Sequence, residues 1–175
     1  KPSDVELVVL PHAEQATALA NKAIDAGWTV EPFIARGVQA GASVKWIPDH
    51  KYFEGTVQEV FIVFGPELAK NRDVGQRWLA AYLKGGRYYL DAFEKKVGRE
   101  EVIGMLARQT PIQDPKLYDL MELPYLNPNG LIEKKSVDAQ YKWFVDVGAY
   151  KGQKTFDDIL DLSFVEAAAQ KLGKR

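Results

Sequence analysis

Ile24-Asp-Ala-Gly27-Trp-Thr-Val-Glu31-Pro-Phe33 is the stretch on which the reading of this chain turns. Apolar residues run up to Glu31 and Pro32 suits the first turn of a helix, so Glu31 is expected where a strand hands over to a helix. In open α/β sheets that hand-over lies beside the ligand crevice, and helix N-termini there favour anions. A carboxylate at the same place favours a cationic or hydrogen-bond-donating group, with Trp28 as an aromatic wall. The plainer role for Glu31 is to sit in the first turn and complement the helix dipole.

Working outward, Asp4 to Leu10 is a β-rich run that ends at Pro11, and Ala13 to Ala23 is an alanine-rich helix. Downstream of Glu31 a helix from Pro32 to about Gln39 stops at Gly41, and Ser43 to Ile47 reads as a third strand. Three strands with two intervening helices predict a parallel βαβαβ arrangement with right-handed crossovers. Asp49 to Thr56 is a connector without a period, and Thr56 to Phe64 reads as a strand buried on both faces.

Beyond it the chain changes character. Val74 to Val97 is a long helical pattern in which Val74, Trp78, Ala81, Tyr82, Tyr89 and Phe93 fall near helical spacing, interrupted at Gly85-Gly86, and its Trp78, Tyr82, Tyr88, Tyr89 and Phe93 are expected in the core. Further helices are expected over Arg99 to Arg108, in a short turn opened by Asp114-Pro115, over Val137 to Val147 with Ser136 as cap, and over Phe164 to Leu172. The last hundred residues are thus nearly all helix. They would need either to pack as a bundle or to lie on a sheet formed elsewhere.

Composition removes several function classes. Over 175 residues, 46% hydrophobic and 27% charged content is that of a globular protein, and a net charge of -1 without a basic stripe argues against nucleic acid. No apolar run approaches a membrane span. The absence of cysteine excludes disulfides and thiolate chemistry, and with two histidines far apart, His12 and His50, no metal site is expected. There is no Gly-x-Ser-x-Gly elbow, Gly-x-Gly-x-x-Gly or P-loop, so neither acyl transfer nor nucleotide-phosphate binding is supported. Acid pairs such as Glu100-Glu101 and Asp157-Asp158 suit solvated helix starts. His12, just past the first strand, either approaches the crevice or stays in solvent.

Three separated motifs resemble one family. Asp25-Ala26 with Glu31-Pro32, then Tyr125-Leu-Asn-Pro-Asn-Gly130, then Asp158 to Val165 with Ala168 and Leu172-Gly173 are similar, in that order, to the solute-binding proteins of ABC importers. The branch is the one handling sulfonates, taurine, nitrate and thiamine pyrimidine precursors. The resemblance implies an α/β, type 2 periplasmic-binding-protein-like fold, present in part. Residues 1–50 would belong to the second lobe, 51–65 would be a hinge crossing and return strand, and 66–175 a helical region completing the first lobe. Lys1 would fall inside the second lobe, with an export signal of the twin-arginine or Sec kind upstream and a periplasmic location.

The implied function is capture of a small organic or anionic solute and its delivery to a membrane permease. Glu31, Trp28, Thr29 and His12 would line the ligand cleft, with no cofactor, no metal and no catalytic residue, and the partial chain could pair as a homodimer. The related thiamine-pyrimidine synthases use a histidine, an iron site and a cysteine-rich segment, which this chain lacks, so a binder rather than an enzyme is expected. The competing class is a non-enzymatic protein-interaction module on a small α/β core.

Overall fold

Leucine spacing on the longest helix sets the better-packed part of the molecule. Residues 72–93 place Gly75, Leu79, Leu83 and Leu90 near four-residue intervals, which brings them to one face of an α-helix, and that face is buried. In the computed structural model, residues 2–47, 62, 64–122, 124 and 126–175 are described. Eight α-helices are found among them: α1 (His12–Ala20), α2 (Phe33–Gln39), α3 (Pro66–Lys70), α4 (Arg72–Phe93), α5 (Arg99–Gln109), α6 (Leu117–Leu120), α7 (Lys134–Asp146) and α8 (Ser163–Leu172), preceded by a single 3-10 turn at Pro2–Asp4.

No strand occurs among the described residues, and this overturns the α/β, type 2 periplasmic-binding-protein-like expectation together with its βαβαβ lobe. The two helices of that lobe form, as α1 and α2, and pack on each other. The stretches read as strands, Asp4 to Leu10, the residues before Glu31 and Ser43 to Ile47, run outside helices without a ladder. The reason is physical: a strand is stabilised by its neighbours, so β-propensity without a paired edge leaves chain that no ladder holds. The expected hinge and most of the strand at Thr56 to Phe64 lie outside the described residues.

The chain divides into two compact units, Lys1–Ile47 with Glu100–Pro124, and Pro48–Arg99 with Tyr125–Arg175. The first has a thin core. Ala35 of α2 and Leu117 and Tyr118 of α6 are buried where these helices pack. Gln39 donates to Asp114 Oδ2 at 3.0 Å and Arg36 to the Pro111 carbonyl at 3.3 Å. Val102 and Ile103 of α5 are also buried.

The second unit is built on α4 and α8. Leu79 and Leu83 pack with Phe164, Ala168 and Ala169, and Phe64 stands edge-on to Phe164 at 5.2 Å between ring centroids. The Arg72 guanidinium lies 4.3 Å from the centre of the Phe164 ring. Asn71 starts α4 by accepting the Val74 N–H on its side chain.

Two features of α4 differ from expectation. Gly85-Gly86 does not interrupt it, because packing of the rest of the helix outweighs about 1 kcal/mol per glycine. The buried face is also one residue round from the aromatic stripe: Val74, Trp78 and Tyr82 are among the exposed residues, with Trp78 and Tyr82 stacked at 5.8 Å. Ser136 is not a cap. α7 begins earlier, at Lys134, leaving Ser136 buried within the helix as acceptor from Gln140 Nε2 at 3.2 Å.

Candidate functional site

The first turn of α1 and the approach to α2 bring the sequence-selected residues together within the first unit. His12 is the first residue of α1, and its Nδ1 is 3.0 Å from Thr29 Oγ1, with the direction of that bond set by the ring tautomer. The same imidazole stacks on Phe33, the first residue of α2, at 5.9 Å between centroids. One residue before Thr29, Trp28 is 71% exposed while its carbonyl accepts from Gln15 Nε2 at 3.1 Å. Gln15 is buried, and its Oε1 has no hydrogen-bond partner among the described residues. That amide fills the space beside Gly27, where an added Cβ would stand 2.6 Å from Oε1, so a side chain at position 27 would displace it.

Glu31 is placed differently from a waiting acceptor. Its Oε2 takes the Ala35 N–H at 3.0 Å, closing the first turn of α2. Its Oε1 takes the Lys45 ammonium at 3.1 Å and the Glu122 N–H at 3.1 Å. Lys45 also donates to the Leu120 carbonyl. The Glu31 side chain is 10% exposed, so this carboxylate ties together three separated parts of the first unit: α2, the 43–47 segment and the end of α6. The Glu31–Pro32 bond is cis, and α2 begins at Phe33 rather than at Pro32.

The two later motifs meet each other in the second unit. Arg87, midway along α4, donates to the Pro128 carbonyl at 2.8 Å, to Asn129 Oδ1 at 3.1 Å, and to the Leu172 and Gly173 carbonyls at 3.4 and 2.7 Å. A single guanidinium therefore binds the Asn127–Gly130 turn to the end of α8, satisfying carbonyls the helix leaves open. Asn129 Nδ2 donates to the Arg175 carbonyl at 2.7 Å, and the Arg175 guanidinium pairs with Asp91. Those hydrogen bonds from Arg175, then from Lys95, hold the Asp91 carboxyl down at about 2. Nearby on the same helix, burial and then the Glu94 charge push the Tyr89 phenol up to about 12.

The sequence singles out His12, Trp28, Thr29 and Glu31 and gives no role to Gln15, Lys45, Arg87 or Asn129. A glutamine or arginine on a helix has no local mark that it reaches a distant carbonyl, whereas Asn129 could have been suspected from its turn. Grooves are open on the surface of the described residues. One of about 310 Å³ runs along Leu10, Ala13, Glu14, Thr17, Ala18 and Asn21, and one of about 170 Å³ lies between Leu90, Glu94, Lys95, Pro128 and Arg175. Neither is lined by His12, Trp28, Thr29 or Glu31. Among the described residues no group of three metal-ligating side chains gathers, and no helix is long and apolar enough to cross a membrane. Comparison with family models, curated proteins and solved structures finds no match.

Proposed function

We propose that the chain serves small-solute capture for import, handing a small organic or anionic solute to an ABC permease at the membrane, in the periplasm. The observation that carries this reading is the His12–Thr29 contact, an imidazole and a hydroxyl 3.0 Å apart, with the exposed indole of Trp28 next to Thr29 in the chain. Such a group can donate to an anionic head and cover an apolar body. Glu31, its oxygens occupied by three donors, acts by holding the backbone beneath these residues. The junction of the two later motifs at Arg87 supports the same reading, because residues selected by resemblance then share one structural task.

The test is thermal unfolding with taurine, an alkanesulfonate, nitrate and a hydroxymethylpyrimidine. A binder gains about 2.7 kcal/mol at a hundredfold excess over Kd. The expected result is stabilisation by one class, weakened about tenfold by His12→Ala with Thr29→Ala, the loss of roughly one hydrogen bond to a charged group. No stabilisation by any of the four ends the proposal. A second reading, a non-enzymatic interaction module, is favoured by one observation, the exposure of Leu7, Val9, Val44 and Trp46 at 81% or more.

A further inference from the structure

The backbone from Glu6 to Leu10 makes no hydrogen bond with any described residue. Its side chains are equally unattached. On the odd-numbered positions, which share one side of an extended chain, Val5 is 61%, Leu7 82% and Val9 97% exposed. Two further non-helical segments of the same unit add Trp28, Val44 and Trp46, exposed by 71%, 87% and 81%.

Three large apolar side chains on one side of a single extended run, rather than scattered singly, mark a contact surface. Unpaired backbone joined to exposed apolar side chains is the condition under which one chain adds as a strand to another.

We propose that residues 5–9 pair with the same residues of a second copy, antiparallel about a twofold axis at Leu7. The sequence selects this occupant and this direction. In antiparallel register about Leu7, Val5 faces Val9 of the other copy, Leu7 faces Leu7 and Glu6 faces Val8, so apolar residues meet and no carboxylate stands directly opposite another. A parallel, in-register pair would put Glu6 on Glu6, which like charges oppose. A twofold pair also closes on itself, whereas open strand addition would continue into a fibre. This assembly does not depend on the solute reading, and its test uses no solute.

Light scattering across a dilution series reads it directly. The expected mass moves from 19.6 kDa toward twice that value on concentration. Leu7→Lys with Val9→Lys shifts the dimer dissociation constant upward by at least about tenfold, the effect of placing charge at an apolar strand contact. Far-UV circular dichroism stays unchanged, because both side chains are exposed.

The chain has no cysteine, so one introduced thiol reports the register. Leu7→Cys should cross-link to itself under mild oxidation, since directly opposed Cα atoms lie roughly 4.5–5.5 Å apart, within disulfide reach. Val9→Cys should not, since its counterpart is displaced by four residues, about 13 Å. A monomer at every concentration up to roughly 1 mM overturns the proposal. So does a dimer indifferent to the lysines, or equal cross-linking at positions 7 and 9.

Discussion

The two units of this chain use similar proportions of apolar residues to opposite effect. In the second, α4 and α8 each carry their hydrophobic residues on one side, and Leu79, Leu83, Phe164, Ala168 and Ala169 close into a buried cluster. In the first, much of the apolar sequence lies outside helices, and Val5, Leu7, Val8, Val9, Val44 and Trp46 all face solvent. The difference lies in where backbone hydrogen bonds come from. A helix satisfies its own and needs only one face covered, while a strand depends on a second chain segment for every bond.

The strongest way to break this comparison is to delete methyl groups on each side of it. Leu83, 2% exposed, should lose roughly 2–5 kcal/mol of stability on change to Ala, whereas Leu7→Ala should stay within about 0.5 kcal/mol under monomeric conditions. Urea denaturation monitored by helical circular dichroism measures both. Equal costs would mean that the 4–10 segment is packed after all.

A smaller effect is expected at Gly130, whose φ is +69° and whose added Cβ would meet Val165 Cγ2 at 2.5 Å and Leu83 Cδ2 at 2.9 Å. Gly130→Ala should cost roughly 2–3 kcal/mol from left-handed backbone and overpacking together, read as a lowered denaturation midpoint. Within the first unit, Glu31→Ala removes the acceptor shared by the Ala35 N–H, the Glu122 N–H and the Lys45 ammonium, which keeps the Leu120 carbonyl. The expected loss is about 1–3 kcal/mol, with faster hydrogen exchange at Ala35 and Glu122. An unchanged exchange pattern would show that polar contacts do not hold this unit.

The smallest change is set by pH. With its carboxyl held at about 2, below the ordinary 3.8, Asp91 favours the folded tail fully above pH 3.8 and loses that contribution as pH falls from there toward 2. Amide exchange near Asn129 and Arg175 should therefore rise over that interval, and Asp91→Asn should show the raised rate at neutral pH already.

Helix positions were legible in the sequence; what they pack against was less so. α1, α2, α5 and α8 lie close to where periodicity, proline and glycine put them, because those signals act within a few residues. The reading of α4 took Trp78 and Tyr82 as core, although the Leu79–Leu83 stripe on the adjoining face is what α8 covers. Hydropathy alone cannot choose between adjoining apolar stripes when the partner is unknown. The strands failed for the related reason that Val-Val-Leu records a preference for a pleated environment, not that the environment exists. At the candidate site, the His12–Thr29 contact joins the first turn of α1 to the approach to α2, while the Glu31 carboxylate turns to Ala35, Lys45 and Glu122. The Lys45 contact, fourteen residues from Glu31, left no trace in local spacing.

The four tryptophans, at positions 28, 46, 78 and 143, are between 46% and 81% exposed. Their fluorescence in the native monomer should already resemble that of indole in water, so unfolding would move the emission little. Any molecule that covers Trp28 or Trp46 would shift it to the blue, which makes the unmodified chain an optical gauge of contact rather than of folding.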